Sequence, residues 1–234
     1  MRVIVGTSGY SYQEWKGSFY PETLPAPKML PFYASHFGAV EINNTFYRMP
    51  AAKTLEKWAE DVPEGFTFAI KAPQRITHQK KLAGAADDVG HLFDVAAVLG
   101  AKLGPVLFQL PPWLRKDAER LREFTGLLRG RMVAFEFRHV SWFDEEVFGI
   151  LRGAGAALCA ADTDEVPDSG TLIHPTADWG YLRLRRSEYS ARSLAAWRER
   201  IANQGWDRAY VFFKHEDEAK GPRFARDFLA AAGA

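Results

Sequence analysis

Two glutamates interrupt runs that are otherwise apolar. Glu41 lies in Ala39-Val40-Glu41-Ile42-Asn43, and Glu136 in Met132-Val133-Ala134-Phe135-Glu136-Phe137. Both runs read as short buried strands. Residues two apart on a strand share a face, so Glu41 travels with Asn43 and Glu136 with Arg138. An inward carboxylate must be paired, hydrogen-bonded or protonated. Two readings follow. In the first, Glu41 and Glu136 are an acid/base pair, with Lys71 as a third catalytic group, and act on an anionic substrate. In the second they form a buried charge network, Glu41 with Lys71 on the next strand and Glu136 with Arg138 or Arg183. Lys71 is also a candidate Schiff-base nucleophile, because burial lowers a lysine pKa.

These residues do chemistry together only if the fold gathers them. Eight short β-rich runs occur: Arg2–Gly6, Ala39–Asn43, Phe66–Lys71, Pro105–Leu110, Met132–Phe137, Ala156–Ala160, Gly180–Leu184 and Ala209–Phe213. Helix-like stretches lie between them: Lys28–Phe37, Ala52–Asp61, Ala85–Leu103, one starting at Asp117, Asp144–Arg152, Ala191–Asn203 and Pro222–Ala232. Pro222 suits a first helical position. Residues 162–175 carry no convincing helix. Spread over eight units, 234 residues leave about 29 each, close to the βα unit of a (β/α)8 barrel. We expect one TIM-like barrel domain over residues 1–234, its helix after strand six weak or irregular. A doubly wound open sheet would want a Gly-rich dinucleotide turn, which Gly6-Thr7-Ser8-Gly9 does not supply.

In such a barrel the chemistry sits at the C-terminal strand ends. Those ends carry Glu41, Asn43, Lys71, Gln109, Glu136, Arg138, Asp162, Arg183, Arg185 and Lys214. Asn43 and Gln109 would orient a substrate. Arg138 and Arg183 would hold its negative charge, and Asp162 would join the site as a ligand or a further carboxylate. Arg183, Arg185, Arg186 and Lys214 follow the last two strands, where these barrels often hold phosphate. Rings crowd the same loops: Tyr10, Tyr12, Trp15, Phe19, Tyr20, Phe46, Tyr47, Trp113, Trp142 and Phe143. We expect Tyr10, Trp15, Phe46 and Tyr47 to line a ligand that stacks.

Other signals are bland. His215-Glu216-Asp217-Glu218 lacks the second histidine of a zinc motif. Ser8 is no nucleophile elbow. Cys159 reads as a core residue. His78, His139 and His215 fall in strand-end loops without metal-site spacing. No metal ligands are therefore assigned, and metal dependence, the cofactor and the oligomeric state stay open. Lys+Arg is 30 and Asp+Glu is 29, a net charge of +1 that argues against a polyanion-coating protein. One cysteine and no apolar run of membrane length lead to the expectation of a cytoplasmic protein that engages no membrane. The partner expected is an anionic small molecule, a phosphorylated sugar or nucleotide. The alternatives are a nucleic-acid-binding or metal-dependent phosphodiester-cleaving barrel, and a non-catalytic ligand sensor.

Several runs together resemble the YecE-like family known as domain of unknown function 72. They are Gly6 to Tyr12, Trp15 with Phe19-Tyr20-Pro21, Glu41 to Tyr47, Lys71-Ala72-Pro73 with Thr77-His78, Gly104 to Pro112, Phe135 to Phe143, and Ala161-Asp162-Thr163. The resemblance implies a TIM-like barrel and supplies no activity, so it carries over no catalytic residue. Two turns depart from the family pattern. Lys214-His215-Glu216-Asp217 stands where the family has an Asn-Asn-rich turn, and Arg185-Arg186 where it has histidine and glycine.

Overall fold

A computed structural model describes residues 1–165, 173–214 and 217–231. Eight parallel strands close into a barrel in chain order, with β8 returning to β1. They are β1 (Arg2–Ser8), β2 (Ala39–Ile42), β3 (Thr67–Lys71), β4 (Leu103–Gln109), β5 (Val133–Glu136), β6 (Ala157–Asp162), β7 (Trp179–Leu184) and β8 (Arg208–Phe213). Among the described residues seven α-helices cover the outside: α1 (Met29–Ala34), α2 (Ala52–Glu60), α3 (Ala86–Ala96), α4 (Ala118–Gly126), α5 (Glu145–Ala154), α6 (Ala191–Ala202) and α7 (Lys220–Ala230). Among the described residues no helix follows β6; the expectation for 166–172 lies outside them.

Each strand is buried on both faces, which is why apolar runs rather than alternating ones marked them. The outward faces pack on the helices. The inward faces enclose a separate core: Ala39, Ala69, Ala134 and Ala157 on one side, and Trp179, Tyr181, Tyr210 and Phe212 opposite. Small residues on β2, β3, β5 and β6 thus leave space that the large rings of β7 and β8 fill.

Three expectations need correction. The stretch from Ala85 to Leu103 is not one helix: α3 stops at Ala96, tightens into 3-10 turns and breaks at Gly100 (φ 55°, ψ −130°). That left-handed φ suits glycine and turns the chain into β4. Pro222 occupies the third position of α7, which starts at Lys220. The whole first turn lacks intrahelical acceptors, so proline loses nothing there either. The first helix is shorter than read, ending at Ala34.

Gly6 fixes how β1 meets β2. A β-carbon there would lie 1.9 Å from the backbone oxygen of Ala39, its partner in register. Tyr33 bridges the same spot, donating to Ala39 O (2.9 Å) while its oxygen accepts from Thr7 N (2.7 Å). Gly6→Ala is expected to cost at least about 1–3 kcal/mol, because backbone cannot yield as a side chain can. Chemical denaturation reads this directly; an unchanged midpoint would contradict it.

Candidate functional site

The β5, β7 and β2 strand ends meet at one residue, Arg183 on β7. It is only 2% exposed. One terminal nitrogen, Nη2, donates to Glu41 Oε1 (2.8 Å) and the other, Nη1, to Glu136 Oε2 (2.5 Å). Nη1 also reaches Gln109 Oε1 at 3.4 Å. The planar fork lets one cation join carboxylates on two different strands, which an ammonium does less well.

Glu41 is saturated. Its Oε1 also accepts from Ser8 Oγ (2.7 Å) and Asn43 Nδ2 (3.2 Å), and its Oε2 from Tyr181 OH (2.7 Å). Burial pushes its carboxyl up, but the Arg183 charge and these hydrogen bonds outweigh burial and hold it below its ordinary value. Glu136 Oε1 accepts from Arg138 Nε (3.0 Å), with Arg185 Nη1 at 3.8 Å. Burial raises Glu136 too, yet Arg183, Arg138 and Arg185 bring it down to about 2. Both carboxylates are therefore ionised near neutral pH. This matches the buried-network reading more closely than a free acid/base pair, with one change. Glu41 pairs with Arg183 across the barrel, not with Lys71 on the neighbouring strand.

Lys71 ends β3 and faces the same space, in step with inward Ala69. Its Nζ lies 4.2 Å from the centroid of the Phe46 ring. Among the described residues its side-chain amine forms no ion pair and no hydrogen bond, while its backbone oxygen accepts from Thr45 Oγ1 (2.7 Å). Burial, then the Arg183 charge, lower its pKa to about 8. Arg138 is 32% exposed and Arg185 22%. Lys214 continues the inward register of Tyr210 and Phe212 on β8. Among the described residues, the mouth so assembled brings Lys71, Arg138, Arg183, Arg185 and Lys214 together with Glu41 and Glu136.

Asp162 does not join them. It follows Ala161 by one residue and so faces outward. It accepts from Arg186 Nε (2.7 Å), Tyr189 OH (3.0 Å) and Trp197 Nε1 (3.1 Å), fastening β6 to the β7–α6 loop and α6. Arg186 is thereby drawn away from the mouth. Trp15 is also not a rim residue: it is 1% exposed and packs on Tyr12 at 4.8 Å and Phe19 at 5.8 Å. Tyr10 packs beside Tyr33 and Trp58, its hydroxyl pushed up to about 12 by burial. These rings build the interior of the β1–α1 loop, since the twenty residues between Ser8 and Met29, with little regular structure, need a core of their own. Trp142, likewise, stacks on Phe137 at 4.6 Å. Phe46 does stand at the mouth, under Lys71, and Tyr47 is exposed beside it. Sequence reasoning missed Tyr181 as a Glu41 partner, although its spacing from Arg183 put it on the same face.

Among the described residues, no three His, Cys, Asp or Glu side chains converge as metal ligands. His215 and Glu216, with the departure from the family pattern that they carry, lie outside those residues. Cys159 is buried in the inner core. No helix among the described residues is long and apolar enough to cross a membrane. Two clefts of about 570 and 410 Å³ lie elsewhere, one beside Arg48 and His91, the other between α4 and α5. Charge, not cavity size, marks the strand-end site.

Parallel strands closed in order, with helices outside and polar groups gathered at the strand C-termini, define a TIM barrel. Within that class the chain belongs to the family described as protein of unknown function DUF72, whose model matches residues 4–234. It is 26% identical over 231 residues to the UPF0759 protein YunF of Bacillus subtilis (strain 168), covering 92% of this chain and 79% of that one. A DUF72 family protein from Thermotoga maritima MSB8 superposes with a TM-score of 0.85 at 27% identity, each chain covered completely. One from Enterococcus faecalis V583 gives 0.81 at 17% identity, over 99% of this chain and 96% of that one, and speaks to fold alone.

Proposed function

We propose that the mouth binds an anionic small molecule, a phosphorylated sugar or a nucleotide, and serves as its site of turnover. The observation that carries this is an imbalance of charge among the described residues. Glu41 and Glu136 are already engaged by Arg183. Among the described residues, the Lys71 amine is left with only a ring beneath it, while Arg138 bonds a carboxylate that Arg183 already holds. A barrel that needed only to fold gains nothing from a surplus of part-buried cations. A phosphate would supply the missing charge, and arginine forks match its oxygens. On this reading Glu41, Asn43, Gln109 and Glu136 position the cations, and Lys71 is the group with a pKa suited to proton transfer near neutrality.

A thermal-shift comparison of phosphorylated compounds with their unphosphorylated parents tests it. A ligand at 100 times its dissociation constant adds about 2.7 kcal/mol of stability. Stabilisation confined to the phosphorylated member of each pair is expected. Equal responses, or none, would remove the proposal.

A second reading has one observation in its favour. Tyr47 and Trp113 are 75% and 58% exposed on loops after β2 and β4, with Lys81 Nζ 5.0 Å from the Trp113 ring. Exposed rings beside cations suit stacking on single-stranded nucleic acid. If so, Trp113→Ala should cost about 1–3 kcal/mol of oligonucleotide affinity and leave stability unchanged. Binding should weaken steeply with added salt. Fluorescence anisotropy with a labelled single strand decides; salt-insensitive or undetectable binding ends this reading.

A further inference from the structure

We propose that Lys71 is an amine nucleophile that forms a Schiff base with a carbonyl carbon of the bound anion. The inference rests on the anion-binding reading and names a reaction class for it: chemistry on phosphorylated aldehydes or ketones.

Three features of the site carry it. Lys71 is rigidly placed at the C-terminal end of a barrel strand, where ligands of this fold meet the protein. No carboxylate claims it: Glu41 and Glu136 both bond to Arg183, and Lys71 Nζ has the face of Phe46 instead. The groups whose charge it feels most are Arg183, Glu41, Glu136 and Arg138, so a second cation stands close to it in a desolvated place. That combination, burial plus a neighbouring cation, is how proteins keep a lysine amine uncharged and nucleophilic. The carboxylates, which by direct pairing would stabilise its ammonium form, are bonded to Arg183 instead.

The step balances without an added reagent. The neutral amine adds to the carbonyl carbon to give a carbinolamine. The nitrogen sheds its proton, and the carbonyl oxygen departs as water. A C=N bond then replaces C=O, and its protonated form withdraws electrons from the adjacent carbon. His78 packs on the same Phe46 ring, centroids 4.9 Å apart. Its Nδ1 is 2.9 Å from Thr77 Oγ1, and burial together with Lys71 and Arg138 lowers its pKa. A neutral imidazole there is the base at hand for these proton transfers. The anionic end of the substrate meets Arg138 and Arg185, which sets the carbonyl toward the amine rather than toward an arginine.

Pyridoxal 5′-phosphate tests this, because it joins an aldehyde to a phosphate. The full chain is incubated with substoichiometric pyridoxal phosphate, reduced with borohydride and mapped by peptide mass spectrometry, with and without inorganic phosphate. A reduced adduct concentrated on Lys71, lost when phosphate is added, is the expected result. Adducts spread over exposed lysines such as Lys57, with Lys71 unmodified, would overturn the proposal even if phosphate stabilises the protein. A neutral probe separates the two readings. If phosphate neither stabilises nor protects, reductive methylation with formaldehyde still ranks the lysines by nucleophilicity. Lys71 among the fastest would keep the nucleophile and discard the anion; Lys71 among the slowest would discard both.

Discussion

Arg183→Met should destabilise the protein by about 3–5 kcal/mol, the cost of leaving buried carboxylates without their cation. Domains of this kind are stable by only about 5–15 kcal/mol, so the variant is expected to be marginal at neutral pH. Its pH dependence distinguishes this cause from a simple packing loss. In the parent, Glu136 is held at about 2, below its ordinary 4.5. Its contribution is therefore fully present above pH 4.5 and is lost as pH falls toward 2. In the variant the Arg183 charge is gone and burial governs, so Glu41 and Glu136 take up protons at higher pH. The deficit relative to the parent should be greatest near neutrality and shrink below about pH 5. Urea unfolding of both proteins across that range is the check. A deficit independent of pH would mean that lost packing, not lost charge, is what Arg183 supplies. Arg183→Lys should recover only part of the loss, because one ammonium does not reproduce two separate guanidinium contacts.

Lys71→Met should have the opposite effect on the ligand-free protein. It is expected to gain roughly 0.5–2 kcal/mol at pH 7, as substitutions that relieve a strained functional site commonly do. The sign follows from linkage. A lysine whose folded pKa is about 8, below its ordinary 10.5, destabilises the fold where both states are protonated. The parent should therefore regain stability as pH rises from 8 to 10.5, and the advantage of the variant should fade over the same window. In exchange the variant should lose about 10–100-fold in affinity for a phosphorylated ligand, the worth of one hydrogen bond to a charged group. A residue kept for stability alone would show a loss in the first measurement and nothing in the second.

Much of this was legible in the sequence. Every strand lies within two residues of its expected bounds, because burial on both faces leaves uninterrupted apolar runs such as Val3-Ile4-Val5. Asp117 and Asp144 also opened expected helices, each accepting a backbone hydrogen bond three residues on. What was not legible was choice of partner. Strand parity says that Glu41 faces inward, but not that it reaches Arg183, 142 residues away, past Lys71 on the adjoining strand. That depends on how far a guanidinium extends across an interior where Ala39, Ala69 and Ala134 leave room. Asp162 and Arg186 were assigned to the mouth because they lie at strand ends. Counting parity from inward Cys159 and Tyr181 places both outside, toward α6. For the rings, type and location alone do not separate the buried Trp15 from the exposed Tyr47. The difference lies in whether a loop is long enough to need its own core.

The central claim is that an anion completes the charge of the barrel mouth, and a heavy-atom analogue of phosphate tests it most directly. Crystals grown without sulfate or phosphate would be soaked in tungstate, and the anomalous signal located. A strong peak within hydrogen-bonding reach of Lys71, Arg138 and Arg185, absent from crystals of the Lys71→Met and Arg138→Gln double variant, is the predicted result. Peaks confined to the outer surface, with none among these side chains, would contradict it.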